Sequence, residues 1–90
     1  MLRKRIVFKG WVQGVGFRYR AVHAAQMYGA TGWVRNDPSG SVTMEIQGTQ
    51  DQIDQVIMAI ENGHFITIDS MEVTKLPVKE DERVFGALLL

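Results

Sequence analysis

Apolar and polar residues recur along this chain with two periods, two residues and about 3.6 residues, and the switches between them mark out the elements. Residues 4–13 alternate as a strand does, with Ile6, Phe8 and Val12 on one parity and Val7, Lys9 and Trp11 on the other. A glycine-bearing loop follows over 13–18. The spacing then predicts a helix over 19–28, with Ala21, Val22, Ala25 and Tyr28 on one face and Gly29 as its C-cap. Thr31 to Asn36 reads as a short strand, and Asp37-Pro38-Ser39-Gly40 has the chemistry of a turn. Ser41 to Gln47 alternates strictly, with Val42, Met44 and Ile46 inward and Thr43, Glu45 and Gln47 outward. Thr49 and Gln52 form a capping box ahead of a stripe at Ile53, Val56, Ile57 and Ile60, and Asn62-Gly63 stops that helix. A fourth strand is expected over 66–77. Its parity changes between Ile66/Ile68 and Met71/Val73, which calls for a bulge or a late start. Val84 to Leu88 reads as a short fifth strand.

The order β-α-β-β-α-β predicts an α+β fold of the ferredoxin-like, split βαβ (βαββαβ) kind, an antiparallel sheet with two helices packed on one face. Ninety residues suffice for one domain, so residues 1–90 are expected to form a single unit with little to spare beyond folding and one site. Ten basic and ten acidic side chains cancel, which disfavours a general nucleic-acid-binding surface. Without cysteine, disulfides, thiol catalysis and thiolate metal sites are excluded, and the composition suits the cytoplasm. The apolar stretch after Arg3, Lys4 and Arg5 runs only from Ile6 to Phe8, so neither a signal peptide nor a membrane span is expected.

The run Gly10 to Arg18, GWVQGVGFR, carries the chemistry. Gly14 and Gly16 allow a loop whose backbone N–H groups converge, where a side chain would crowd the concavity. The helix start behind it adds partial positive charge, and Arg18 adds a full one with a planar fork of donors. A positive charge there opposes the helix dipole, a mild cost that itself asks for a reason. The reading is a pocket for a phosphate-sized anion.

Two segments then stand out together. Val12 to Arg18, VQGVGFR, resembles the phosphate-binding signature of the acylphosphatase family. Gly32 to Gly48, GWVRNDPSGSVTMEIQG, resembles that family's second signature through Gly32, Trp33, Val34, Arg35, Asn36, Gly40, Val42 and Gly48. Two motifs in the right order, with matching length and element order, make a specific signal. The resemblance implies hydrolysis of a carboxyl–phosphate mixed anhydride to a carboxylate and inorganic phosphate, with no metal, no cofactor and no covalent intermediate. It implies that Arg18 binds the phosphoryl group beside loop N–H groups of Gly14, Val15, Gly16, Phe17 and Arg18, and that Asn36 positions the attacking water. The expected partners are a small acyl phosphate and inorganic phosphate, without nucleic acid or membrane, and the expected state is a cytoplasmic monomer. A standalone enzyme is expected rather than the leading domain of a longer, hydrogenase-maturation-type chain. A non-catalytic anion-binding module on the same loop is the alternative. RNA binding, which other members of the fold class perform, is disfavoured by charge and by the lack of paired strand aromatics.

Other residues draw plainer expectations. Asn36 before Asp37-Pro38 would by itself be a turn residue. Gln13 is expected as scaffold reaching the loop backbone, Arg20 and Arg35 as surface charges, and His23 and His64 as surface or cap residues without a ligand cluster. Trp11 and Trp33 are expected in packing or at an edge. Met27, Met44, Met58 and Met71 are expected in the core, and Glu80-Asp81-Glu82 in a solvated loop. Leu88 to Leu90 would be a sticky apolar end.

Overall fold

The computed structural model describes residues 1–89. Its elements are β1 (Leu2–Trp11), α1 (Phe17–Tyr28), β2 (Thr31–Asn36), β3 (Val42–Gly48), α2 (Gln50–Glu61), β4 (Thr67–Leu76) and β5 (Phe85–Ala87). They follow the expected order, with α1 starting two residues early at Phe17. The strands form one sheet in the order β4-β1-β3-β2-β5. The four longer strands pair antiparallel as expected. The fifth departs from that pattern, because β5 runs parallel to β2, so the sheet is mixed. A chain arriving from the far edge after β4 can add at the β2 edge in that direction without a hairpin.

The inward parity is the one read from the alternation. Ile6 faces Met44 and Phe8 faces Val42 in register, and all four are buried beneath the helices. Ala21, Ala24 and Ala25 from α1 and Ile53, Val56 and Ile60 from α2 close this core. Tyr28 stays exposed and Val22 packs against the rim. The small alanines let α1 lie close, and α1 packs over β2 and β5 while α2 packs over β3. Among the described residues no helix packs over β4 to that extent, and Met71 and Val73 are exposed although they sit on the helix-side parity. Met27 and Met58, on the outer faces of their helices, are exposed too; of the four methionines expected in the core, only Met44 is there. The parity change in β4 is a bulge. Lys9 pairs with Ser70 and Gly10 with Ile68, which leaves Asp69 as the extra residue. Gly10 sits opposite at φ 133°, where any Cβ would run into the Thr67 carbonyl.

The other face of the sheet is not the solvated surface that the alternation implied. Thr43, Glu45 and Gln47 are buried, as is Arg3, which has no exposed area at all. The reason is topological: β4 and β5 lie at opposite edges, so residues 77–84 must cross the sheet. They cross the helix-free face, where the Gln47 amide donates to the Lys79 carbonyl at 2.7 Å and accepts from the Lys79 N–H at 2.8 Å. Glu82 is therefore no solvated loop residue. Its carboxylate takes two hydrogen bonds from Arg3, at 2.7 and 3.1 Å. Arg3 also donates to Glu45 at 3.0 Å, and Arg5 to the second oxygen of Glu45 at 2.8 Å. Burial pushes the Glu45 carboxyl up, but hydrogen bonds from Arg5 and Arg3, with their charge, outweigh it and hold the carboxyl below its ordinary range. Burial works against the Arg3 charge in the same way, and the bonds to Glu82 and Glu45 more than reverse it.

Removing one partner of this network strands a buried charge. Glu45→Ala is expected to cost about 3–5 kcal/mol in urea denaturation, whereas Glu72→Ala, which breaks the exposed pair to Lys9, is expected to cost at most about 1 kcal/mol. The stabilisation from a depressed Glu45 is complete above the ordinary carboxylate range and is lost as pH falls through the folded value. Wild type is thus expected to lose stability below roughly pH 4, and Glu45→Gln to flatten that dependence.

Candidate active site

The site forms at the sheet end where β1 leaves and the β2–β3 hairpin turns. Phe17 anchors it from below. Its ring is buried and meets Phe8 edge-to-face with centroids 4.8 Å apart. The loop between Trp11 and Phe17 is thereby pinned at both ends. Gly14 and Gly16 take φ of 73° and 81°. A Cβ at either would meet no protein atom within 4 Å. Backbone conformation, not crowding by the protein, is therefore what demands glycine there, and the concavity is left open.

The two helix starts differ. α2 has its full capping box, Thr49 and Gln52 each bonded to the other's backbone, with Asp51 in the first turn. α1 begins at Gly16 with no side-chain cap and no acid in its first turn. Among the described residues, no backbone or side-chain acceptor takes the N–H groups of Gly14, Val15, Gly16, Phe17 or Arg18. Arg18 and Arg20 occupy that turn instead, against the dipole. Such an end is complementary to an anion.

A pocket of about 200 Å³ opens at this point, lined by Val12, Gly14, Gly16, Phe17, Arg18, Tyr19 and Asn36. Arg18 and Asn36 thus border one small space, although they come from different elements. Val15 lies outside it and faces a neighbouring groove. On the other side Arg18 and Asn36 also border a hollow with Asp37, Pro38, Leu88 and Leu89. The apolar chain end therefore reaches the rim of the site, with Leu89 largely exposed; Leu90 lies outside the described residues.

The profile of the acylphosphatase family matches residues 4–86. The chain belongs to the acylphosphatase family. The acylphosphatase of Geobacillus kaustophilus is 38% identical over 86 residues, 94% of this chain and 92% of that protein. That of Bordetella parapertussis is 48% identical over 58 residues, 64% of this chain and 62% of its own length. The crystal structure of the acylphosphatase from Bacillus subtilis superposes with a TM-score of 0.89 at 32% identity, covering 99% of this chain and all of that one.

Within this acylphosphatase fold, two residues do more than their sequence context suggested. Gln13 braces the glycine loop against the Asn36 hairpin, its amide donating to the carbonyls of Asp37 at 2.7 Å and Ser41 at 2.8 Å. Asp37 is the hub of the hairpin. It accepts from the Thr43 hydroxyl at 2.6 Å, from Arg35 at 3.0 Å and from Ser41 at 3.2 Å. Burial pushes its carboxyl up, and the bonds from Thr43, Arg35 and Ser41 pull it below the ordinary range on balance. The turn composition around Asp37-Pro38, with hydroxyls at 41 and 43 on one parity, is a signal for this hub. Arg35 is committed to Asp37 and lies 5.1 Å from the Trp33 ring, and Arg20 donates to the Ala59 carbonyl at the end of α2; both arginines are structural ties. His23 stacks on Tyr19, and among the described residues no group of three His, Asp or Glu is placed to hold a metal.

Gln13→Leu keeps the side chain's bulk and removes both bonds of the brace. It is expected to cost about 1–3 kcal/mol in chemical denaturation, with the hairpin amides near Asp37 and Ser41 exchanging faster than in wild type.

Proposed function

We propose that this acylphosphatase-family protein hydrolyses acyl phosphates at the pocket shared by the 14–18 loop, Arg18 and Asn36, with residues 1–90 acting as one catalytic unit. The observation that carries the reading is the meeting of Arg18 and Asn36 around one pocket with a loop whose N–H groups have no acceptor among the described residues. In this reading Arg18 and the N–H groups of Gly14, Val15, Gly16, Phe17 and Arg18 grip the phosphoryl oxygens. The Asn36 amide orients a water for attack on phosphorus. The water oxygen bonds to phosphorus as the phosphorus–oxygen bond to the acyl group breaks. The carboxylate leaves with the bonding pair, and the water's proton passes to a phosphoryl oxygen. An acyl phosphate dianion and water thus become a carboxylate and dihydrogen phosphate. A carboxylate is a good leaving group, so no strong general acid is required. Charge spread over the phosphoryl oxygens is what the donors must stabilise, and charge-assisted bonds of roughly 1.5–3 kcal/mol each supply several decades of rate. No step calls on a metal or cofactor, and the reading takes the protein to work as a cytoplasmic monomer. A phosphate-binding module without turnover is the competing outcome of the same test.

Benzoyl phosphate hydrolysis in the presence of a chelator tests the reading. Wild type is expected to turn over rapidly and to be inhibited by inorganic phosphate. Arg18→Ala is expected to lose about a thousandfold or more in kcat/KM, together with phosphate inhibition. Asn36→Ala is expected to lose about a hundredfold or more in kcat while phosphate inhibition changes little. A folded wild type that binds phosphate without turnover would establish the binding module.

A further inference from the structure

The described chain carries a larger groove whose contents the reading above does not specify. It lies between α1 and the turn at residues 63–65, has a volume of about 500 Å³, and shares Gly16 and Tyr19 with the anion pocket. Ala24, Ala59 and Gly63 are among its small lining residues. Tyr19, Met27 and Phe65 stand around it with 68%, 76% and 77% of their surface in solvent. Three large apolar side chains at one groove are a costly exposure unless something apolar uses them. No aspartate or glutamate is among its lining residues, and Arg20, which is, spends hydrogen bonding on the Ala59 carbonyl.

Direction decides what belongs there. In a phosphoryl transfer the attacking and leaving oxygens lie roughly in line across phosphorus. Asn36 borders the anion pocket and the hollow beyond it toward Pro38 and Leu89, and it does not border the groove. With the water on the Asn36 side, in-line departure would send the leaving carboxylate away from Asn36, and the anion pocket adjoins the groove through Gly16 and Tyr19. From the placement of the groove there, we infer that it is the acyl subsite, built for an extended apolar or aromatic acyl group, with Tyr19 and Phe65 among its walls and Met27, about two turns further along α1, at its outer end. The inference rests on the catalytic reading, since it needs the water on the Asn36 side. The volume falls within the range of about 300–1,000 Å³ usual for small-molecule sites, ample for a ring on a short spacer. The lack of acidic lining residues leaves the departing carboxylate unopposed.

The test compares acetyl phosphate with phenylpropanoyl phosphate on wild type and on a Phe65→Ser/Met27→Ala double variant, whose altered side chains are both exposed. Wild type is expected to favour the phenylpropanoyl substrate in kcat/KM. The double variant is expected to lose about tenfold of that preference, the scale on which apolar pocket contacts discriminate, chiefly through KM. Acetyl phosphate turnover and inhibition by inorganic phosphate should stay as in wild type. An unchanged preference, with acetyl phosphate still hydrolysed, would overturn the subsite and leave the catalytic reading intact. If wild type hydrolyses neither substrate, the catalytic reading fails, and calorimetry decides the groove separately. Tighter binding of phenethylphosphonate than of methylphosphonate, abolished in the double variant, would support it; equal binding of the two by wild type would overturn it.

Discussion

The antiparallel pairing of β1 with β3 sets where the candidate site lies. Its register places Phe8 opposite Val42, so the outgoing end of β1 and the incoming end of β3 fall at the same end of the sheet. β2 pairs with β3 through Asn36 opposite Val42, which brings the hairpin to that end as well. The glycine loop has to leave β1 there and enter α1 at Phe17, whose ring is locked against Phe8 in the core. Arg18 and Asn36 are thus brought to one pocket by strand register, and the Gln13 amide ties the two backbones across the remaining gap. A rigid pairing in the middle of the sheet orients two braced connections at its end, which is the arrangement that positioning chemistry requires.

The two faces of the sheet are held by different physics. One is apolar and closed by α1 and α2. The other is polar, and its stretch around Arg3, Glu45 and Gln47 is covered because β5 adds at the far edge from β4 and the chain must cross between them. Once covered, Arg3 cannot be hydrated, and its charge persists only because Glu82 and Glu45 surround it. The helix cover stops short of β4. That strand keeps its edge irregular through the bulge at Asp69, a device that discourages pairing with another chain.

Much of the architecture was legible in local pattern. The alternation of β1 and β3, the stripe of α2, its capping box and the turn chemistry at Asp37 to Gly40 each reflect interactions within a few residues, and each recurs in the structure. The glycine loop was legible because only glycine tolerates the backbone that Gly14 and Gly16 adopt. Asn36 was not legible by its own context, where it reads as a turn residue, and needed the second family signature. The outward parity of Glu45 and Gln47 misled, because alternation tells which side chains share a face and not what lies over it.

The amino-acid sequence by itself therefore determined the elements, their order, the inward parity and the glycine-dependent backbone of the 14–18 loop, since all of these follow from backbone preference and the apolar period. Tertiary structure alone decided the parallel docking of β5, the burial of Arg3 beneath residues 77–84, the Gln13 brace, and the groove shared by Tyr19, Met27 and Phe65. These depend on residues far apart in the chain meeting in space, and neither propensity nor period carries information about which distant segment will arrive.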